Sequence, residues 1–376
     1  MKKTILLPCL LILFVLAGCW DQRLVKDINL IYSQALDQTE DGRIETTIVT
    51  IGGSPNETGA SVQNSQTPAI ISAVGNTPRD SRMHLDRKVS GELFASKNRI
   101  TLLSRTLAEQ DIYSMLDVHY RSPISTTNAR IGVIDEGPAK KALHVRTAET
   151  PLISDYLGDL LLGLEETGVI PETTLEDTLS FMFDNGSDFA LPLLHVVDHE
   201  NVVFNGLALF DGSRMVGELD ADQTLRLLLL DGTYNKNPRL NVRVSSNEEV
   251  RANNFATIDV ISKDHDMTIT PLTDQTFKTD LHINLKLNVV EYPKDRLYIE
   301  EHVEELNDQI SAQLTTECEK VIQTLQEVNC DYFGIGKRIR AFHHEGWKKM
   351  NWKRSYPNMP MTVSVNTEIV YHGIVN

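Results

Sequence analysis

Residues 300–328, "EEHVEELNDQISAQLTTECEKVIQTLQEV", constrain the fold more than any other part of the chain. Val303, Leu306, Ile310, Leu314, Cys318, Val321, Leu325 and Val328 recur every three or four residues, which sets one apolar stripe along a helix. Glu300, Glu301, Glu304 and Glu305 crowd its first turns, where the helix dipole favours anions. A helix with a single stripe must bury that stripe against something. A coiled-coil partner would serve, but the strands just upstream offer the nearer surface. These are "RLNVRVS", "FATIDVIS", "DMTITPL" and "DLHINLKLNVVEY", with "MTVSVNTEIVYHG" downstream.

The region before them opens with a hairpin, "NVVFNGLALF" and "SRMVGELD", joined across Asp211-Gly212. Asp220 then caps the helix "ADQTLRLLLLDG", whose run of leucines implies burial on most sides. Further upstream, "DINLIYSQALDQ" and "GRIETTIVTIG" read as paired strands. The polar tract 52–68 reads as a loop. A helix near 78–90, strand "NRITLLS", helix "QDIYSMLDVHYR" and strand "TNARIGVID" come next. Pro138 can start a helix at "GPAKKALH", and 150–182 is mainly helical. The expected class is α+β: three mixed domains with mostly antiparallel sheets, and the long amphipathic helix in the C-terminal one. The expected divisions are 1–18, 19–198, 199–275 and 276–376.

The N-terminus, "MKKTILLPCLLILFVLAGC", has a basic start at Lys2 and Lys3 and an apolar run from Ile5 to Leu16. That run is too short for a spanning helix, which needs roughly 20 residues. Small residues Ala17 and Gly18 precede Cys19, so 1–18 reads as a signal peptide. Leu16-Ala17-Gly18-Cys19 resembles the bacterial lipobox, in which the thiol of the first mature residue takes a diacylglycerol through a thioether. Cys19 is therefore the expected lipidation site, and the lipid the expected membrane anchor. The formal charge is −16, and losing Lys2 and Lys3 makes it more negative still. So acidic a body is a poor partner for nucleic acid or anionic lipid surfaces. Of the other cysteines, Cys318 and Cys330 would lie roughly 18 Å apart if one helix runs through both. A disulfide needs less than about 7 Å. Two free thiols are expected, with Cys318 on the core face.

Catalytic and metal patterns do not hold up. His195, Asp198 and His199 would suit a metal on a helix, yet this stretch leads into a strand, where residues four apart are about 13 Å distant. "HHEGW" lacks the second His of a zinc protease motif. "FGIGKR" places Gly336 before Lys337, but a phosphate loop would need Gly at 331 and Ser or Thr at 338, where Asp331 and Arg338 stand. No catalytic, cofactor or metal residues are expected. Lys337, Arg338, Arg340, Lys348, Lys349, Lys353 and Arg354 cluster with Trp347 and Trp352 against one acid, Glu345. A solvated basic face with the tryptophans in the core competes with a docking patch, and charge runs are usually solvated.

Three stretches in register carry a family likeness: "GCWDQR" at the mature start, "NGLALFDGSRMVGELDADQTLRLLLLDG", and "DYFGIGKRIRAFHHEGWKKMNW" followed by "MTVSVNTEIVYHG". The chain resembles the spore germination receptor C-subunit lipoproteins, the Ger(x)C family. The resemblance implies a three-domain α+β lipoprotein at the outer face of the spore inner membrane. It implies work beside two integral-membrane subunits, the A and B types, in a complex answering small-molecule nutrients. It implies no enzymatic activity and no cofactor. A solute-binding lipoprotein that captures a nutrient directly is the alternative, and it would need a ligand-sized cleft with a few convergent polar groups.

Overall fold

A computed structural model describes residues 28–52, 68–122, 125–147, 150–232, 236–246 and 248–373. The expected leader, Cys19 and nearly all of the expected loop 52–68 lie outside the described residues. β1 (Ile28–Gln38) and β2 (Ile44–Gly52) pair antiparallel, and β3 (Ala69–Gly75) adds to β2. Thr77 caps α1 (Pro78–Asp86) by accepting from the Asp80 amide. β4 (Glu92–Phe94) and β5 (Ile100–Ser104) both run parallel to β1. All five residues of β5 are buried, as a strand covered by helices on both faces must be.

Helices supply those covers. α2 (Arg105–Ala108) and α3 (Ile112–Arg121) lead to β6 (Arg130–Ile134), which is parallel to β5. α4 (Lys140–Leu143), α5 (Ile153–Glu166) and α6 (Leu175–Met182) follow, the last held by a capping box between Thr174 and Asp177. Leu107, Ile112, Leu116 and Leu175 pack on one face of the sheet; Leu143, Leu157 and Leu161 pack on the other. β7 (Ala190–Val196) is parallel to β6 and antiparallel to β8 (Val202–Asp211), which turns into β9 (Arg214–Asp220). Asp211 pairs with Arg214, so the two turn residues are Gly212 and Ser213, one place later than expected. The first sheet thus runs β3-β2-β1-β5-β6-β7-β8-β9, with β4 beside β1.

α7 (Ala221–Leu230) starts at Asp220, whose carboxylate accepts from the Gln223 amide at 2.7 Å. The second sheet is β10 (Arg239–Arg243), β11 (Phe255–Pro271), β12 (Phe277–Glu291) and β13 (Met361–Tyr371), in that order. "FATIDVIS" and "DMTITPL" are one strand, because β11 continues through a bulge near Ser262 as one side of a long ribbon with β12. Between β12 and β13 come α8 (Glu300–Glu327), α9 (Ile335–Phe342), α10 (His344–Lys349) and α11 (Trp352–Ser355). β13 is therefore parallel to β12.

The stripe on α8 lies down on the second sheet and α7, with Leu306, Ile310, Leu314, Cys318, Val321 and Leu325 all buried. Each such side chain contributes roughly 1.5–3 kcal/mol by leaving water. Arg226 of α7 is 4% exposed and ties the two helices together, its Nε 2.7 Å from the Glu317 carboxylate. Class and long helix are as expected. Both sheets are mixed, with parallel pairs where an α-helix lies between the two strands. The expected divisions at 198 and 275 do not follow the sheets: 199–275 gives β8 and β9 to the first sheet and β10 and β11 to the second. Leu207, Leu209 and Leu219 of the first sheet share one apolar cluster with Leu281, Ile283 and Leu285 of the second.

Both remaining thiols are free and buried. Burial pushes Cys318 up to about 12 and Cys330 well above the ordinary thiol range. Thiolate is the reactive form, so neither should react with Ellman's reagent at pH 8 until denaturant is added. Rapid labelling of the native protein at either position would contradict this packing.

Candidate functional site

"DYFGIGK", residues 331–337, makes a junction between the two sheets. Asp331 is 1% exposed and its two carboxylate oxygens accept from the amides of Ile335 (2.9 Å) and Gly336 (2.8 Å), closing the start of α9. Gly334 stands at that start with φ of 62°, a backbone that favours glycine. Across the junction, the Asp331 amide donates to the Asp188 carboxylate at 2.8 Å, and the Asp188 amide donates to the Asp331 carbonyl at 2.9 Å. The other Asp188 oxygen accepts from Gly212 of the β8–β9 turn at 2.8 Å. Lys337 N–H donates to the Gly186 carbonyl at 2.7 Å. The two backbones are so close that a Cβ on Gly186 would sit 2.6 Å from Gly336, and a Cβ on Gly336 would sit 2.6 Å from the Trp352 ring.

Around this core, Tyr356 donates its hydroxyl proton to the Cys330 carbonyl at 2.9 Å, and Trp352 packs between Tyr356 and Trp347 with its ring tilted to both. Trp352 and Tyr356 are buried and Trp347 half-buried, so the tryptophans do belong to a core. Three of the basic side chains around them meet acids: Lys353 with Asp211 at 2.8 Å, Arg340 with Asp184 at 2.8 Å, Lys349 with Asp274 at 3.3 Å. Burial pushes the Asp331 carboxyl up to about 7 and that of Asp188 up to about 6, against the partial relief of their backbone donors. These acids hold backbone amides across a seam. Among the described residues, no hydrogen bond links either carboxylate to a serine, threonine, cysteine or lysine side chain.

The other sequence candidates are scattered. His195 lies on β7 with Nδ1 3.0 Å from both Asp135 oxygens, and Asn205 donates to Asp135 at 2.9 Å. Asp198 instead accepts from the amides of Glu200 and Asn201 in the following turn, and the carbonyl of His199 accepts from Arg146. The three serve separate local structures. His343 of "HHEGW" packs on Phe277, with ring centroids 5.2 Å apart. Among the described residues, no group of three or more His, Cys, Asp and Glu could hold a metal ion. No described helix is long and apolar enough to cross a membrane.

Two family models tile this architecture: one described as "Spore germination protein N-terminal domain" over residues 21–196, and "Spore germination B3/ GerAC like, C-terminal" over 205–373. The chain belongs to the Ger(x)C family of spore germination proteins. It is 24% identical to spore germination protein GerQC of Bacillus cereus, covering 100% of this chain and 99% of that one. It is 22% identical to spore germination protein KC of Bacillus subtilis (strain 168), covering 100% and 98%. The fold is similar to the crystal structure of the GerBC protein, with a TM-score of 0.57 at 14% identity over 90% of this chain and 96% of that one. In this family member the two matched segments meet between β7 and β8, strands that hydrogen-bond to each other. Asp188 lies in one segment and Asp331 in the other, so the junction stitches the two together. Sequence reasoning met "FGIGKR" as a failed phosphate loop. Its use is to let two backbones touch, and the partner glycine, Gly186, is remote in the chain.

Proposed function

We propose that this chain is the lipid-anchored, non-catalytic subunit of a nutrient germinant receptor complex. In this reading a thioether lipid on Cys19 holds it at the outer face of the spore inner membrane, beside integral-membrane subunits of the A and B types. The end-to-end match with spore germination proteins carries the reading. The hydrogen-bonded seam supports it: a body whose two sheets are locked together can present one fixed surface to neighbours. A tether then raises its local concentration beside them without any new contact.

Purification of the epitope-tagged chain from detergent-solubilised spore membranes tests the proposal. Two multi-span membrane proteins should co-purify in fixed ratio. Recovery of the chain alone under mild detergent, from spores that contain those proteins, would sink the receptor-subunit reading.

A further inference from the structure

Beside the junction a cavity of about 600 Å³ opens between the entry to β7 and helix α9. Phe181, Phe189, Met267, Tyr332, Phe333 and Phe342 are among its lining. Its volume and aromatic walls are those of a small-molecule site. Phe342 is 81% exposed and Phe181 36%, so aromatic surface is left in water on this cavity's lining.

The polar lining is specific. Two buried side-chain atoms with no hydrogen-bond partner among the described residues, Thr173 Oγ1 and His265 Nε2, belong to residues that line this same cavity. An unpaired buried polar atom is costly, roughly 1–3 kcal/mol each, and a ligand group can relieve it. The imidazole is pinned by the backbone of Gly232, where an added Cβ would lie 2.3 Å from Nδ1. Burial, then the charges of Lys263 and Arg338, lowers the His265 pKa and favours the neutral ring.

Charge selects the ligand class. The lining acids Asp188 and Asp231 are engaged, Asp188 by backbone amides and Asp231 with the Tyr332 hydroxyl at 3.4 Å. Lys337 is exposed and only 3.8 Å from Asp184, and Arg338 is exposed with no ion pair among the described residues. Glu172 is the one other acid on the lining among the described residues. Of the two lining cations Lys337 has a partner, and Arg338 is left without an ion pair among the described residues, beside an apolar hollow.

We propose that this cavity binds a small apolar monocarboxylate, its hydrocarbon or aryl body against the phenylalanines and its carboxylate at Arg338 and Lys337. This goes beyond the receptor-subunit reading and does not depend on it. Arg338 supplies the planar, permanently charged fork suited to a carboxylate.

The test is calorimetric titration of the full chain in lipid nanodiscs with 4-phenylbutyrate, with heats from empty nanodiscs subtracted. Saturable binding of one equivalent is expected. Arg338→Gln should weaken it about fivefold, as should replacing the probe by 4-phenylbutyramide, since an exposed ion pair is worth up to about 1 kcal/mol, a factor of about five. Ala341→Trp, at an exposed position on the lining, should abolish binding while thermal melting stays unchanged. No saturable heat in the wild-type chain would overturn the proposal. Equal affinity in Arg338→Gln and Ala341→Trp would overturn it too, because the probe would then sit elsewhere. Equal affinity for the amide would overturn the anionic selection.

Discussion

Asp331→Ala is expected to destabilise the chain by about 2–5 kcal/mol in chemical denaturation, because each of the two buried amides left unpaired costs roughly 1–3 kcal/mol. The substitution strands the amides of Ile335 and Gly336 and leaves a void where the carboxyl stood, beside Cys330 and Tyr356. It also frees α9 from its start, so the seam with Gly186 should open first. Asp331→Asn separates charge from shape. In the folded state Asp331 titrates near 7 and Asp188 near 6, against an ordinary value of 3.8. Between those values the native state holds more protons than the unfolded one, so stability falls as pH rises. The contribution is fully present below about pH 4 and lost as pH passes 6 to 7. For Asp331 it amounts to at most about 4 kcal/mol, from roughly three units at 1.36 kcal/mol each. Asn does not titrate, so its stability curve should be shallower than the wild type's between pH 4 and 7. Parallel curves would show that the Asp331 carboxyl is not the group that titrates there.

Cys19→Ala is expected to move the chain out of the membrane fraction and to abolish, or nearly abolish, nutrient-triggered germination. The argument is chemical. A thioether needs sulfur, and each buried acyl CH₂ contributes about 0.8 kcal/mol to membrane affinity. A chain of formal charge −16 has little electrostatic attraction to anionic lipid with which to replace it. The nutrient-independent response of the same spores gives the control. Unchanged fractionation in the variant would rule out the anchor at this residue; changed fractionation with normal germination would show that the tether is dispensable.

Periodic segments were legible from the residues alone. The α8 stripe, the capped leucine helix and the β8–β9 hairpin are local patterns, each decided by neighbours three, four or two places away. β7 was harder to see, because "ALPLLHV" neither alternates nor tolerates Pro192 inside a two-sided ladder. Pro192 is accepted there because β6 pairs only with Leu193 and Leu194, just beyond it. β11 read as two strands because "SKDHD" interrupts the apolar alternation. The ribbon continues because those residues keep their backbone partners on β12 while the side chains of Ser262, Asp264 and Asp266 reach water. The junction was invisible for a different reason. Asp188 and Asp331 stand 143 positions apart, and each alone is an ordinary acid in a loop. Only the topology brings them together, and only close contact explains two distant glycines.

Because β13 pairs in parallel with β12 across α8, α9, α10 and α11, the second sheet cannot close until residues up to 371 have been synthesised and delivered. β12 and the underside of α8 must wait with their apolar groups exposed, a slow non-local pairing of the kind that invites aggregation. For a chain made from its N-terminus, this couples folding to the completion of synthesis. The body commits to its final shape only once its last strand has emerged.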